Sequence, residues 1–308
     1  MAALFQPTAK TMMGRTLFMA VLMASALVVL TYGYSANAQS LQESTEAQAG
    51  ASAAFPDFLG PRTDVALPDI RGVTRFRFLT TTDFPPFNFV DGAGRLTGFH
   101  VDLARSICDV VQLGARCQIE AMPFDELTDV LQAGNGEAVL AGQSIEGFAG
   151  IGAVASPVFL RFAGRFLARK DARAVSADPL DLPEGTRVAV VEASAHEAYL
   201  RAFFPKLTPV AVTDRTTLQL ALTSAIVDHA FDDAPLSVAW LAGSASSQCC
   251  SFASGPYFSD RYFGDGLTIA TRKGDAISAD IVEYALYEMR RQNRFQELYL
   301  RHFPVAPY

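Results

Sequence analysis

From about Arg75 onward the chain alternates short apolar runs with amphipathic stretches. Phe76–Thr80 alternates in polarity and reads as a strand, ended by the pair Pro85-Pro86. Phe87–Val90 and Leu96–Phe99 flank a turn-forming Asp91–Arg95 and predict a hairpin. From about Val101 the residues Leu103, Ile107, Val110 and Val111 share one helical face, with Asp102 in the first turn, where the helix dipole favours it. Cys117–Ala121 reads as a strand. Asp125–Gln132 reads as a helix with Leu127, Val130 and Leu131 inward and Gly134 closing it, and Glu137–Ala141 as a buried strand. The pattern then recurs in kind: strand Arg187–Val191, helix Glu197–Phe204, strand Val210–Val212, helix Thr217–Ser224 and strand His229–Phe231. Residues 276–304 form a last helical region with Ile281, Ala285, Leu286 and Met289 inward. Strands alternating with short helices imply an α/β fold with mostly parallel sheets. In such sheets ligands bind beyond the carboxyl ends of the strands.

The first residues follow a different logic. Lys10 and Arg15 precede Leu17–Leu30, which is apolar throughout except for Ser25, and Ala36-Asn37-Ala38 supplies a small-x-small site. That order predicts a secretory signal peptide over 1–38, cleaved after Ala38, and so a periplasmic protein. The competing reading is an uncleaved anchor, for which the run falls short of the ~20 residues a span needs. Residues 39–73 read as a disordered or surface-wrapping leader: 39–56 lack periodicity, and 57–73 are rich in proline and glycine. Over its 308 residues the chain carries a formal charge of −7, and losing the basic N-terminus makes it more acidic still. That argues against nucleic acid or an anionic membrane as partner. Its four cysteines all follow the signal segment. An oxidising compartment permits disulfides. Cys108 and Cys117 flank a predicted helix end and are expected to pair, the alternative being two buried thiols. Cys249 and Cys250 are adjacent, and a vicinal bridge, pairing with another chain and free thiols all stay open. The histidines (100, 196, 229 and 302) are dispersed without metal-ligand spacing, so neither a metal nor a cofactor is expected.

Five segments in order resemble the bacterial extracellular solute-binding proteins of family 3, the receptors of polar amino-acid ABC importers, from about Arg75 to Phe303. The first is Asp83-Phe-Pro-Pro-Phe-Asn-Phe89 followed by Gly98-Phe-His-Val-Asp-Leu-Ala104. The second is Pro123-Phe-Asp-Glu-Leu127 with Leu131-Gln-Ala-Gly134 and Ala141-Gly-Gln-Ser-Ile145. Next come Ser156-Pro157 before an aromatic-rich strand, then Pro183–Val190 with Ser194 at a helix start, and last Gly264–Lys273 with the helix that follows. The resemblance implies a two-lobed periplasmic binding protein fold of type II, each lobe a mostly parallel sheet flanked by helices, with two hinge crossovers. Lobe 1 would be 74–164 plus 265–308, and lobe 2 would be 168–260. It further implies a monomer that binds a small molecule and docks on the membrane permease of an ABC importer. Carried over residue by residue, Phe84 would stack on the ligand and Phe124 would form the facing wall. Ser144 and the backbone of Gly142 would bond its carboxylate end. Ser194 would offer a hydroxyl near a helix N-terminus, and Asp233 would pair with the α-amino group.

In one place the sequence departs from this pattern. The family sets an arginine four to six residues after the position of Ser144, to grip the ligand carboxylate through two parallel bonds. Here Ile145–Gly150 holds no cation. Three explanations follow: a ligand without a free α-carboxylate, held as an amine by Asp233 and Glu192; substitution by Arg165; or loss of small-molecule binding. Two other functions share the fold. One is a cyclohexadienyl-dehydratase-like enzyme with Glu192 or Asp233 as proton donor. The other is a periplasmic interaction or sensor partner that transports nothing.

Overall fold

Phe76, Phe78 and Leu79 are fully buried on strand β1 (Phe76–Thr80), as expected of a strand covered on both faces. In this computed structural model residues 65–144, 147, 152–172 and 178–304 are described. The expected signal peptide, leader residues 39–64 and most of the cation-free stretch after Ser144 lie outside them. Residues 65–75 form no regular element, and Arg116 Nη1 fastens them by donating to the carbonyls of Ile70 and Val73 at 3.1 and 2.7 Å.

Strand β1 pairs in parallel with β5 (Cys117–Ala121) and β6 (Ala138–Val139). Antiparallel β13 (Ala270–Arg272) and β7 (Ala153–Ala155) extend that sheet in the order β5-β1-β6-β13-β7. The second sheet repeats the plan. Strands β10 (Thr208–Val212), β9 (Arg187–Val191) and β11 (His229–Asp233) run parallel, and β8 (Gly164–Arg169) and β12 (Cys250–Tyr257) are added antiparallel. Each sheet thus has a parallel three-strand core and an antiparallel margin. The hairpin gains a third strand: β2 (Asp83–Phe84) joins β3 (Asn88–Val90) and β4 (Leu96–Thr97).

Helices cover both sheets. Helix α1 (Phe99–Val110) packs on α7 (Ala276–Arg291) and α8 (Arg294–His302), where the Phe99 ring meets Phe295, Tyr299 and Phe303 at 5.9, 6.1 and 5.5 Å. One cluster on the second sheet joins Phe166, Phe231, Tyr199 and Phe204, and another joins Leu167, Leu218, Leu222, Trp240 and Cys250. No helix among the described residues is long and apolar enough to cross a membrane.

Two crossovers connect the sheets, one before β8 and one after β12. They lie side by side at Leu160 and Leu267, with Leu267 N donating to Leu160 O at 2.6 Å and Phe159 N to Leu267 O at 3.0 Å. Gly266 makes this approach possible. Its φ is +119°, and a Cβ there would fall 2.6 Å from Leu160 O.

Cys108, in the last turn of α1, is bonded to Cys117, the first residue of β5, with Cα atoms 6.1 Å apart. Replacing both with serine is expected to lower stability by about 2–3 kcal/mol, the loop-closure value for so short a loop. Urea midpoints of the oxidised protein and the double variant read that loss. Cys249 and Cys250 also form a disulfide, which resolves the three readings left open by the sequence in favour of the vicinal bridge.

Candidate ligand-binding site

Strands β9, β10 and β11 end side by side, and their carboxyl ends carry the polar residues of one pocket of about 380 Å³. Val191 closes β9. Ser194 then caps helix α3 (Ala195–Phe203), donating its hydroxyl to Val191 O at 2.6 Å and accepting from Glu197 N at 3.1 Å. Glu197 reaches back to Ala193 N at 2.8 Å, a variant of the Ser-x-x-Glu capping box. After β10, Asp214 caps helix α4 (Arg215–Thr223) by accepting from Thr217 N at 2.7 Å, which sets Arg215 at the first helical position, facing β11. From β11 come Asp232 and Asp233.

These groups form one ion-pair network. Arg215 Nε and Nη2 donate to the two oxygens of Asp232 at 2.7 and 3.1 Å, and Nη2 also reaches Asp233 Oδ2 at 3.2 Å. Asp232 is buried and takes a further hydrogen bond from Ser237 Oγ at 3.1 Å. Burial works against the Arg215 charge, but Asp232 and then Asp233 outweigh it, so its pKa rises. His196 also lines the pocket, its ring stacked on Phe263 at 4.8 Å and its Nε2 3.4 Å from Asp233 Oδ1. Burial pulls the imidazole down, yet Asp233 and Asp232 more than reverse this, and its pKa is raised. His196, Asp232 and Asp233 could each offer an atom to a metal ion, all within 4.8 Å of one another. A metal there would have to compete with the Arg215 guanidinium for both carboxylates.

The other expected contacts lie around the first sheet: Phe84 on β2, Phe124 on a turn after β5, and Gly142 and Ser144 just beyond β6. Phe84 stacks on Phe87 with ring centres 4.8 Å apart. Gly142 backs directly onto it, with φ +87° and a Cβ position 2.6 Å from Phe84 Cε1. Alanine at 142 would therefore meet both an unfavourable backbone and the ring. We expect Gly142→Ala to destabilise by about 1–3 kcal/mol and to push Phe84 from its stack, read as a lower melting temperature and a weakened ligand response. Beneath Phe84, His100 Nδ1 meets Asn88 Oδ1 at 2.7 Å, and burial pushes its pKa down to about 3, so it is a neutral core histidine. Ser144 is half-buried. Phe124 stands 56% exposed on the single 3-10 turn Phe124–Glu126.

The structure thus brings Phe84 together with Gly142, and Ser194 together with Asp233. Sequence reading missed Arg215 and His196. The signal for Arg215 was the cap Asp214, which starts the helix two residues before the expected Thr217. The lack of a metal-ligand spacing hides His196, although it lies in the first turn after Ser194. Arg165 is not among the residues that line this pocket. Its guanidinium lies over the Phe252 ring at 4.2 Å, Nε points to Ser254 O at 3.4 Å, and burial lowers its pKa.

Two α/β sheets, each with a parallel core, joined by paired crossovers and carrying polar groups at their strand ends, define the type II periplasmic binding protein fold. The family model for bacterial extracellular solute-binding proteins, family 3, matches residues 76–305, and the chain belongs to that family. It is 26% identical over 228 residues to a putative ABC transporter arginine-binding protein 2 of Escherichia coli, covering 74% of this chain and 90% of that relative. To the lysine/arginine/ornithine-binding periplasmic protein of the same organism it is 25% identical over 234 residues, covering 75% and 88%. The open substrate-binding domain 2 of Lactococcus lactis GlnP superposes with a TM-score of 0.65 at 18% identity, covering 81% of this chain and all of that domain. The open L-cystine receptor of Neisseria gonorrhoeae superposes with a TM-score of 0.64 at 18% identity, covering 76% and 94%. At these identities the structural matches speak for the fold alone.

Proposed function

We propose that this chain is an exported periplasmic receptor that binds a small polar solute through a cationic group and delivers it to the permease of an ABC importer. In this reading residues 1–38 are a cleaved signal peptide. Lobe 1 is 74–164 plus 265–308, lobe 2 is 168–260, and the protein works as a monomer. The solute is an amino acid, an amine or a derivative, and the cation-free stretch after Ser144 favours one without a free α-carboxylate.

The observation that carries this is the pairing of Asp232 and Asp233 at the end of β11, beside the ends of β9 and β10, in a pocket with a single permanent cation, Arg215, among its lining residues. A cation leaving water needs a partner of opposite charge, and this pocket holds an excess of carboxylate. The sequence after Ser144 supplies no arginine to balance a ligand carboxylate. Phe84 and Phe124 would cover the apolar part of the solute from lobe 1, Ser144 and the Gly142 backbone would offer it hydrogen bonds, and Ser194 would border its polar end. Relatives named as arginine- and lysine/arginine/ornithine-binding proteins agree with a cationic solute. A dehydratase-like role fits less well, because a carboxyl that gives up a proton needs surroundings that favour its neutral form, and Asp233 faces Arg215 and His196.

A thermal-shift screen of refolded, ligand-free protein tests the proposal, using amines, polyamines, opines, α-amino acids, sugars and aromatic acids. A solute at ~1,000 times its dissociation constant adds about 4 kcal/mol and raises the melting temperature by several degrees. Stabilisation by amines supports the reading. Stabilisation by carboxylic acids alone overturns it, and silence across the panel favours an interaction partner that transports nothing.

A further inference from the structure

Asp233 presents its two oxygens to different neighbours. Oδ2 receives Arg215 Nη2 at 3.2 Å, a permanent cation held in place by its twofold grip on Asp232. Oδ1 faces His196 Nε2 at 3.4 Å. That imidazole is nearly buried and packs against Phe263 of helix α6 (Asp260–Phe263) and Phe231 of β11, with ring centres 4.8 and 5.6 Å away. Its Nε2 makes no well-formed hydrogen bond among the described residues, so its link to Asp233 is a charge contact. The charged groups acting on it are Asp233 and Asp232 from β11, which favour its protonation, and Arg215 from α4, which opposes it.

A solute ammonium seeking Asp233 must approach the oxygen that Arg215 leaves over, and His196 stands at that oxygen. While His196 is protonated, Asp233 is already matched and the imidazolium repels a second cation. Once His196 is neutral, the network of Asp232, Asp233 and Arg215 carries one uncompensated negative charge. We propose that His196 is a proton-operated competitor for the cationic group of the solute at Asp233, so that binding one solute releases one proton. This rests on the receptor reading above and adds a direction to it: the receptor holds its solute in neutral surroundings and lets it go in acid.

Titration calorimetry with agmatine and phenethylamine as probes, at about pH 5.5 and about pH 8, tests it on the purified chain. The ordinary imidazole value is 6.5 and His196 lies above it. Affinity should therefore rise at least about tenfold between the two conditions, one decade per pH unit below the pKa. Repeating the acid titration in two buffers of different ionisation enthalpy should count about one proton released per amine. In His196→Gln, or in His196→Asn if the first does not fold, the affinity should be nearly independent of pH and at least as high at about pH 5.5 as in the native protein. A flat native profile, zero protons released, or a slope that survives in the variants would overturn the gate while leaving the receptor intact. Failure of both amines to bind native and variant protein at either pH would instead overturn the amine-receptor reading, and the gate with it.

Discussion

Replacing Arg215 with methionine should lower the stability of the protein by about 2–4 kcal/mol. Asp232 sits almost fully buried at the end of β11, and the Arg215 guanidinium contacts both of its oxygens. Removing one member of such a pair leaves a carboxylate in a poorly solvated position. That desolvation, rather than the lost attraction, dominates the loss. Two features moderate it. About a third of the Arg215 side chain is exposed, at 36%, so part of its attraction is screened by water. Ser237 Oγ also still donates to Asp232. The double variant Arg215→Met with Asp232→Asn should recover part of the deficit, because it removes the stranded charge as well. Urea unfolding of the native protein, both single variants and the double variant gives the coupling between the two positions. A change below about 0.5 kcal/mol in Arg215→Met would mean that Asp232 rehydrates and that the network has no structural weight.

The sequence made the strands of this fold more legible than its contacts. Phe76–Thr80, Cys117–Ala121 and Arg187–Val191 form strands with the expected bounds, because alternating or continuously apolar residues leave few other ways to bury them. Helix starts were less clear. Apolar periodicity pointed to Glu197 and Thr217, whereas the caps Ser194 and Asp214 start the helices two residues earlier in each case, at Ala195 and Arg215. The helix expected over Asp125–Gln132 begins as a 3-10 turn at Phe124, and only Leu127–Gln132 is α-helical. Strand β12 was invisible to pattern, since Cys250–Tyr257 contains Ser, Gly and Pro and is held by irregular pairing with β8. The site divides in the same way. Phe84 and Asp233 sit in local motifs, so the sequence can offer them as candidates. The meeting of His196, Arg215 and Asp233 depends on three parallel strands coming side by side, a contact between segments distant in sequence that no local pattern encodes. For the same reason the sequence exposed a missing arginine without revealing that Asp233 already has a cation of its own.

That internal cation makes Asp233 the sharpest test of ligand chemistry. In Asp233→Asn the shape of the pocket should persist, because the amide is nearly isosteric and Arg215 keeps both contacts to Asp232. Affinity for a cationic solute should nevertheless fall at least about a hundredfold, since a desolvated charge pair that loses one member typically forfeits ~3 kcal/mol or more. The same substitution at Asp232 should act differently. Asp232 has its charge matched by Arg215 and its remaining capacity met by Ser237. Its loss should release Arg215 to lean further on Asp233, reducing both stability and affinity. Calorimetry on the two variants, alongside their urea midpoints, separates a pure affinity effect at 233 from a mixed one at 232. If Asp233→Asn binds an amine as tightly as the native protein, the cation of the solute is held elsewhere, and the pocket at the ends of β9, β10 and β11 is a structural ion-pair network. If binding vanishes while the unfolding midpoint hardly moves, Asp233 is the anchor, and His196 and Arg215 set the conditions under which that anchor is free.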